Sequence, residues 1–331
     1  MDPLTVVPLT RTLVDIDSTT GREGDCGRWL AAYLRARGYT VEEQPVDGER
    51  FNVFARLDDP TVVMSTHFDC VPPFFASREE DGRLYGRGSC DAKGILAAQI
   101  CAAERLRAEG ARDVGLLFVV GEERGSDGAR TANARPNQSR FLVNGEPTDS
   151  RLGAATRGAF RVKLIAKGKA AHSSYPEAGE SAIEKLIDAL VKLRTIEWPD
   201  DQLLGRTHYT VGLIDGGIAP NVIPPHAEAE VMFRTVGPPR DVLPLLGGLR
   251  DLVDTEVILE VPAVRLHTVP GFETAVFPFT TDIPFLSKWG TPMLFGPGSI
   301  FVAHTAEEHV SVAELQGAVD ALARMVRSLR G

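Results

Sequence analysis

The sequence from Val62 to Asp69 reads Val-Val-Met-Ser-Thr-His-Phe-Asp, an apolar run that ends in an imidazole and a carboxylate. A short continuous apolar run predicts a strand buried on both faces, as in parallel sheets covered by helices. Two further runs have this form: Leu116–Val120 leads into Glu122-Glu123, and Phe141–Asn144 leads into Glu146. Because sites in open α/β sheets form beyond the carboxyl ends of strands, we expect these side chains at one sheet edge.

The rest of this region alternates helical and strand patterns. Apolar residues recur at helical spacing over 4–16, 23–37, 94–109 and 312–329. Short apolar or alternating runs predict strands over 39–43, 52–57, 61–66, 115–120, 140–144 and 292–295. This alternation is typical of an α/β fold, here with a mixed sheet.

Between residues 158 and 262 the order of the predicted helices and strands changes. The predicted order is strand, helix, strand, strand, helix, strand, over 159–166, 180–194, 208–214, 227–235, 239–253 and 256–262. That order is ferredoxin-like, an α+β arrangement. None of the His and acidic residues named above falls in it. We therefore predict two domains: a discontinuous one of 1–157 and 263–331, and an inserted one of 158–262.

Composition excludes several classes of function. The chain has 331 residues, a net charge of −9 and no basic run, which argues against a nucleic-acid binder because phosphate binding needs clustered Lys and Arg. The N-terminal sequence has no charged region followed by a long apolar stretch, so we expect neither a signal peptide nor a membrane span. We expect a cytoplasmic protein. The four cysteines form no CxxC pair, and we interpret them as packing residues.

The stretch Gly86-Arg87-Gly88-Ser89-Cys90-Asp91-Ala92-Lys93-Gly94 is the most specific motif. Its glycines permit tight turns that present Asp91 at the head of the following helix. Together with His67, Glu146 and His304, it completes a set of two imidazoles and several carboxylates. Zinc binds His nitrogen and Asp or Glu oxygen, and two metals that share a carboxylate can activate water. The sequence therefore predicts a dinuclear metal site and a hydrolase.

At this point the sequence resembles the cocatalytic dizinc hydrolases that include acetylornithine deacetylase, succinyl-diaminopimelate desuccinylase, aminoacylase and the glutamate carboxypeptidases. The shared motifs follow the family's order over nearly the whole chain: His67-Phe68-Asp69, Gly86-Arg87-Gly88 with Asp91 and Gly94, Glu122-Glu123, Gly145-Glu146-Pro147, Ala171-His172-Ser173, and Gly296-Pro297-Gly298 with His304. The resemblance implies a zinc-peptidase-like catalytic domain and makes the insertion a dimerisation or lid domain.

The resemblance also implies a role for each site residue. One metal is bound by His67 and Glu146, the other by Glu123 and His304, and Asp91 bridges them. Glu122 is the general base, and Asp69 orients His67. His309 competes with His304, but the spacing from Gly296-Pro297-Gly298 favours His304, with Glu308 nearby as a supporting residue. Zinc is the expected metal, with cobalt or manganese as alternatives.

The inserted domain and one glycine supply the implied substrate contacts. His172 stabilises the oxyanion in the active site of a partner subunit, which implies a homodimer. Asn221 and Arg234 bind a substrate carboxylate, since Arg suits a carboxylate through a bidentate fork. Gly298 is a further predicted substrate contact.

These assignments lead to an amidohydrolase acting on a small molecule. The leading hypothesis is deacylation of an N-acyl amino acid such as N-acetylornithine, N-acetylcitrulline or N-acetyl-lysine. The nearest alternative is a metal-dependent dipeptidase, aminopeptidase or carboxypeptidase acting on a short peptide, because it needs the same centre. A more distant alternative is a non-catalytic binder of amino acids or peptides, against which the intact Glu122 argues.

Overall fold

The structure is a computed structural model and describes residues 5–330. The predicted start of the first helix at residue 4 lies outside the described residues. The α-helices are α1 (Val6–Val14), α2 (Gly24–Ala36), α3 (Lys93–Ala108), α4 (Asp127–Asn133), α5 (Ala182–Leu193), α6 (Leu243–Leu246) and α7 (Val312–Arg330). Within residues 5–330, every helix is too short or too polar to cross a membrane.

The strands fall into longer sheet strands and short bridging ones. They are β1 (Thr40–Asp47), β2 (Arg50–Arg56), β3 (Val62–His67), β4 (Arg78–Glu80), β5 (Arg83–Tyr85), β6 (Val114–Val119), β7 (Phe141–Asn144), β8 (Leu152–Thr156), β9 (Gly158–Lys167), β10 (Asp200–Asp201), β11 (Gly205–Arg206), β12 (His208–Gly216), β13 (His226–Thr235), β14 (Asp254–Val261), β15 (Val264–Arg265), β16 (Thr274–Phe277), β17 (Thr291–Leu294) and β18 (His309–Ser311).

The chain divides into two compact units. Unit 1 contains residues 1–154, 266–275 and 281–331, and unit 2 contains residues 155–265 and 276–280. The predicted insertion of 158–262 lies inside the longer segment of unit 2. Residues 276–280, which the sequence had placed in the metal-binding domain, belong to unit 2 in this division.

Unit 1 is built on a six-stranded mixed sheet in the order β1-β2-β6-β3-β7-β17. Strand β3 is parallel to β6 and β7, and β17 is parallel to β7, whereas β1 and β2 run antiparallel. The three apolar runs of the sequence therefore lie side by side and end at the same edge. This α/β architecture with a mixed sheet confirms the predicted fold class.

Both faces of this sheet are covered, which explains why its central strands are buried and begin with continuous apolar runs. On one face Val62, Met64 and Phe118 pack in a core shared with α1, α2, α3 and α7. On the other face Val63 packs in a smaller core with α4 residues and with Trp289. A sheet buried on both sides cannot alternate polar and apolar residues, so continuous runs result.

Unit 2 contains a four-stranded antiparallel sheet in the order β12-β13-β9-β14. Helix α5 packs on β9 and β13 through one apolar face, and Ser181 caps its N-terminus by accepting a hydrogen bond from the Glu184 N–H at 3.2 Å. The strand order and the crossover through α5 are those expected of the ferredoxin-like arrangement.

The predicted helix over 239–253 is wrong. The segment forms a 3₁₀ turn at Pro239–Asp241, the single helical turn α6 and a second 3₁₀ turn at Gly247–Leu249. Proline removes a backbone donor and clashes with the preceding turn, and glycine weakens a helix interior. Pro244 and Gly247 therefore divide a segment whose apolar residues, such as Leu246 and Leu249, still pack in the core.

Candidate metal centre

Asp91 lies between two imidazoles. Its Oδ1 is 3.0 Å from Nε2 of His67, and its Oδ2 is 3.2 Å from Nε2 of His304. His67 is the last residue of β3, whereas Asp91 precedes α3 and His304 lies in the loop before β18. A carboxylate whose two oxygens face two different histidines has the arrangement required to bridge two cations.

Two glutamates complete the donor set on either side. Glu123 Oε1 lies 2.9 Å from His304 Nε2, and Glu146 Oε2 lies 3.9 Å from His67 Nε2. Donor atoms of His67, Asp91 and Glu123 all lie within 4.8 Å of one another. The structure thus brings together all five ligands that the sequence predicted, and their partition between two metals remains a proposal.

The local electrostatics fit a pair of cations. Glu146 Oε1 is buried without a hydrogen-bond partner in the described part of the chain. Burial raises the pKa of Glu146 well above its usual value, and the neighbouring Glu122 raises it further. Hydrogen bonds to Asp91 and Glu123 raise the pKa of His304 to about 10. Two divalent cations would favour the charged form of these buried carboxylates and offset their mutual repulsion.

Asp69 contacts both His67 and the turn that carries Glu122 and Glu123. Its Oδ1 lies 3.4 Å from His67 Nδ1, its backbone carbonyl lies 3.0 Å from the same nitrogen, and the side chain is fully buried. The same carboxylate accepts hydrogen bonds from the backbone N–H groups of Glu122 and Glu123 at 3.1 and 3.3 Å. Asp69 therefore links the proposed ligand on β3 to the turn that carries the proposed base.

Thr20 is a residue that sequence reasoning missed. Its hydroxyl donates to Asp69 Oδ2 at 2.9 Å, so it fills the remaining side of this buried carboxylate. The contact joins positions far apart in the chain, and a threonine between two helices is an ordinary loop residue. Only the tertiary fold identifies it.

Glu122 differs from the other carboxylates of the centre. It is partly exposed, and its carboxylate has no hydrogen-bond or ion-pair partner within residues 5–330. Burial by the surrounding protein raises its pKa well above the usual value; His67 opposes this shift, whereas Asp282, Glu123 and Asp91 add to it. An unbound carboxylate with a raised pKa suits a group that accepts a proton and returns it.

Asp282, to which sequence reasoning assigned no role, is buried beside Glu122. Burial raises its pKa to about 7, although the Ser126 hydroxyl opposes the shift. A carboxyl whose pKa is higher in the folded than in the unfolded chain lowers stability as pH rises from its usual value through about 7. We expect Asp282→Asn to stabilise the metal-free protein at neutral pH, with a benefit that disappears towards about pH 4.

Thermal melts of chelator-treated protein at several pH values measure this difference. Asp58→Asn is the control, because Arg112 lowers the pKa of this exposed carboxyl and the sign of its effect is opposite. A shift of the same size at every pH would contradict the assignment to ionisation of Asp282.

The predicted contacts in unit 2 lie on two neighbouring loops and one strand. His172 is exposed, and its Nδ1 accepts from the Ser174 N–H at 3.2 Å, which leaves the proton of the neutral ring on Nε2. The Ser173 N–H donates to the Asn221 carbonyl at 3.0 Å, so the two predicted residues belong to adjacent loops. Nε2 of His172 is thus free to donate.

Arg234 lies on β13 and is half buried. Among the described residues its guanidinium has no carboxylate partner, and burial lowers its pKa. A partly desolvated, unpaired guanidinium is costly unless a ligand supplies the anion. This environment is the one expected of a carboxylate-binding Arg.

Gly298 occupies a tight position instead of an open one. Its φ is +84°, and an added Cβ would lie 2.5 Å from Cys90 Sγ. Its N–H donates to Glu314 Oε1 at 2.9 Å, and its carbonyl accepts from the Asp149 N–H at 2.8 Å. The N–H of Gly298 is thus occupied and its carbonyl can accept one further hydrogen bond, so a substrate contact at Gly298 stays a prediction.

Comparison with known proteins agrees with this centre. Residues 63–328 match the sequence profile described as Peptidase family M20/M25/M40. The chain is 39% identical over 338 residues to a peptidase M20 domain-containing protein of Schizosaccharomyces pombe, covering 97% of this chain and 84% of that protein. It is 36% identical over 366 residues to a probable carboxypeptidase of Aspergillus clavatus, covering 96% and 81%.

Solved structures share the fold at low sequence identity. A tripeptidase from Staphylococcus aureus superposes with a TM-score of 0.84 at 19% identity and full coverage of both chains. A dinuclear metal binding peptidase of the M20 family from Bacillus subtilis gives 0.73 at 17% identity, with 97% of each chain covered. The resemblance predicted from the motifs is confirmed: this chain belongs to peptidase family M20/M25/M40 and is a hydrolase of amide bonds.

Proposed function

We propose that this chain uses two divalent metal ions to hydrolyse an amide whose leaving amine carries a free carboxylate, with an N-acyl amino acid as the leading substrate. The observation that carries the hydrolytic part is the position of Asp91 between His67 and His304, with Glu122 unpartnered beside them. We propose zinc as the metal, with cobalt or manganese as alternatives. A cytoplasmic location stays a prediction from the sequence.

In this proposal His67 and Glu146 would hold one metal, Glu123 and His304 would hold the other, and Asp91 would be a ligand of both. When bound, the metals supply Lewis acidity towards water and towards the amide carbonyl. Glu122 removes a proton from the attacking water and returns it to the leaving amine. Asp69 holds the Glu122–Glu123 turn in place through its two backbone hydrogen bonds.

The carboxylate requirement rests on Arg234. Its unpaired, half-buried guanidinium supports recognition of an anion, and the α-carboxylate of an amino acid fits its planar pair of donors. Asn221 is proposed as the second contact to this carboxylate. N-acetylornithine, N-acetylcitrulline and N-acetyl-lysine all present such a carboxylate.

A carboxypeptidase or dipeptidase is the second candidate. A peptide with a free C-terminus presents the same amide and carboxylate as an N-acyl amino acid. Support comes from the relatives, among which the Aspergillus clavatus protein is named a probable carboxypeptidase. The two candidates differ in what lies on the acyl side of the scissile bond.

An amine-release screen after metal loading tests the function and separates the candidates. It compares N-acetyl and N-succinyl amino acids, N-blocked peptides with a free C-terminus, the same peptides as C-terminal amides, and free dipeptides. We expect release from substrates with a free carboxylate only. Release from peptides but from no N-acyl amino acid would select the second candidate, and no release from any substrate would favour the non-catalytic binder.

The variant Arg234→Gln tests whether Arg234 binds the substrate carboxylate. Loss of a charge-assisted hydrogen bond of about 1.5–3 kcal/mol should raise KM for carboxylate substrates about 10- to 100-fold. Arg161→Gln is the matched control, since that Arg lies on the same sheet but is already near Glu230, at 3.8 Å. An unchanged KM in Arg234→Gln would remove the basis for the carboxylate requirement.

We further propose a homodimer in which His172 acts in the active site of the partner subunit. Its Nε2–H is free to donate to the oxygen that becomes negative during attack. Strand β12 is an edge strand with Leu213 and Ile214 each 64% exposed, and α5 exposes Ile187 and Val191 one turn apart. An unpaired edge beside exposed apolar residues suits pairing with a second copy.

Mixing two inactive variants tests this arrangement. Glu122→Gln lacks the base but keeps His172, and His172→Ala lacks the imidazole but keeps Glu122. We expect each variant alone to be severely impaired and the mixed sample, after subunit exchange, to recover activity, because the mixed dimer contains one complete site. No recovery in a sample shown by mass measurement to contain mixed dimers would contradict a contribution from the partner, as would full activity of a monomer.

A further inference from the structure

Glu308 is fully buried, and it lies four residues after His304 in the sequence. Its Oε1 accepts hydrogen bonds from three backbone N–H groups of the glycine-rich motif: those of Gly88 at 2.9 Å, Cys90 at 3.2 Å and Asp91 at 3.1 Å. The Glu308 backbone carbonyl also accepts from the Gly86 N–H at 3.2 Å. One residue thus binds the segment that carries Asp91.

Arg87 forms the other half of this contact. Its Nη1 donates to Glu308 Oε2, and the pair is almost fully excluded from solvent. Its Nε donates to the Pro73 carbonyl at 3.2 Å, and its backbone N–H donates to the Phe75 carbonyl at 3.1 Å. Through Arg87 the contact extends to the segment that follows His67 and Asp69.

His304 needs such an anchor more than His67 does. A ligating histidine usually donates its second ring nitrogen to a carboxylate or carbonyl, which fixes the ring. His67 has this partner in Asp69, but in the described chain Nδ1 of His304 has none. His304 is also half exposed and adopts a left-handed backbone with φ of +64°. Its position must therefore come from the backbone segment that holds it.

We propose that Glu308 is a positioning residue for the metal centre, which holds Asp91 and His304 at the separation that two metals require. The inference rests on the proposed dinuclear centre and adds a residue outside its ligand set. A buried ion pair could also serve stability alone, since removal of one partner leaves an uncompensated charge. The experiment must separate these two roles.

Zn²⁺ affinity, measured by competition with a chromophoric chelator, is the readout, and a thermal melt of each metal-free variant reports stability. We expect Glu308→Gln to weaken Zn²⁺ binding about 10- to 100-fold, the range typical of residues that support metal ligands. Glu104→Gln is the matched control. Glu104 pairs with Arg37 at 3.2 Å and accepts from the Tyr39 hydroxyl at 2.8 Å, away from every proposed ligand. It should lower stability and leave Zn²⁺ affinity unchanged.

The double variant Glu308→Gln/Arg87→Gln removes the uncompensated charge. We expect it to regain part of the stability lost in Glu308→Gln while its Zn²⁺ affinity stays low. If affinity recovers together with stability, or if Glu308→Gln binds Zn²⁺ like the wild type, the positioning role is overturned. Should Glu308→Gln fail to fold, Glu308→Asp replaces it, and wild-type affinity there despite the shortened side chain would count against the proposal. A wild-type chain that binds no pair of metals would instead refute the dinuclear centre itself.

Discussion

Glu122→Gln should abolish hydrolysis while both metals stay bound. The side-chain amide of the new glutamine cannot accept and return a proton, and loss of a general base lowers the rate about 10²- to 10⁴-fold. Metal content should not change, because the Glu122 carboxylate makes no contact with the imidazoles and only its backbone N–H is used, by Asp69. The measurement combines single-turnover rates with elemental analysis of the same sample.

Glu123→Gln is the natural comparison for this variant. The two residues are adjacent, but Glu123 Oε1 lies 2.9 Å from His304 Nε2. Its loss should therefore reduce metal content as well as rate. Undiminished turnover in Glu122→Gln would refute its assignment as the base, and equal loss of metal in both variants would erase the distinction between base and ligand.

Asp91→Ala should remove the metals themselves. The carboxylate is the common neighbour of His67 and His304, at 3.0 and 3.2 Å, so both proposed sites lose a donor at once. Activity should fall at least ~10³-fold, as expected when a Lewis-acid contribution of several kcal/mol disappears. Elemental analysis of purified protein and turnover at saturating metal are the measurements.

Asp127→Ala provides the control for loss of a neighbouring acid. Asp127 pairs with Arg50 and makes no contact with a proposed ligand, so its removal should leave metal content near that of the wild type. Two equivalents of metal bound to Asp91→Ala would show that Asp91 does not bridge. The pKa of His304 should also fall from about 10 in Asp91→Ala, because Asp91 is the largest cause of its elevation.

The sequence predicted the sheet well because a strand buried on both faces contains a continuous apolar run, which is easy to recognise. Val114–Val119 is apolar, and Val62–His67 and Phe141–Asn144 begin with apolar runs; each strand ends at, or shortly before, a proposed donor of the site. Adjacent parallel strands then bring those donors to one edge. The helix predicted over 239–253, by contrast, does not form. There the apolar residues do pack in the core, but Pro244 and Gly247 interrupt the helix and leave only short helical turns.

Asp69 and Glu308 were named from the sequence as supporting residues, but most of the contacts that support the centre could not be predicted from it. Thr20 binds Asp69, and Arg87 binds Glu308, across separations that no local pattern encodes. Ligands are recognisable because their chemistry is restricted to a few residue types, whereas supporting residues can be almost any hydrogen-bonding side chain. Asp282 was assigned no role from the sequence, and its burial beside Glu122 became visible only in the fold.

Unit 1 is assembled from segments on both sides of unit 2, and the five proposed ligands are divided in the same way. During synthesis the growing chain carries four of them, ending with Glu146, well before it carries His304. Domains commonly fold as units, N-terminal ones first, but here the N-terminal segment cannot complete its own centre. If these five residues are the ligands, the centre is complete only after the whole of unit 2 and the segment with His304 have been synthesised.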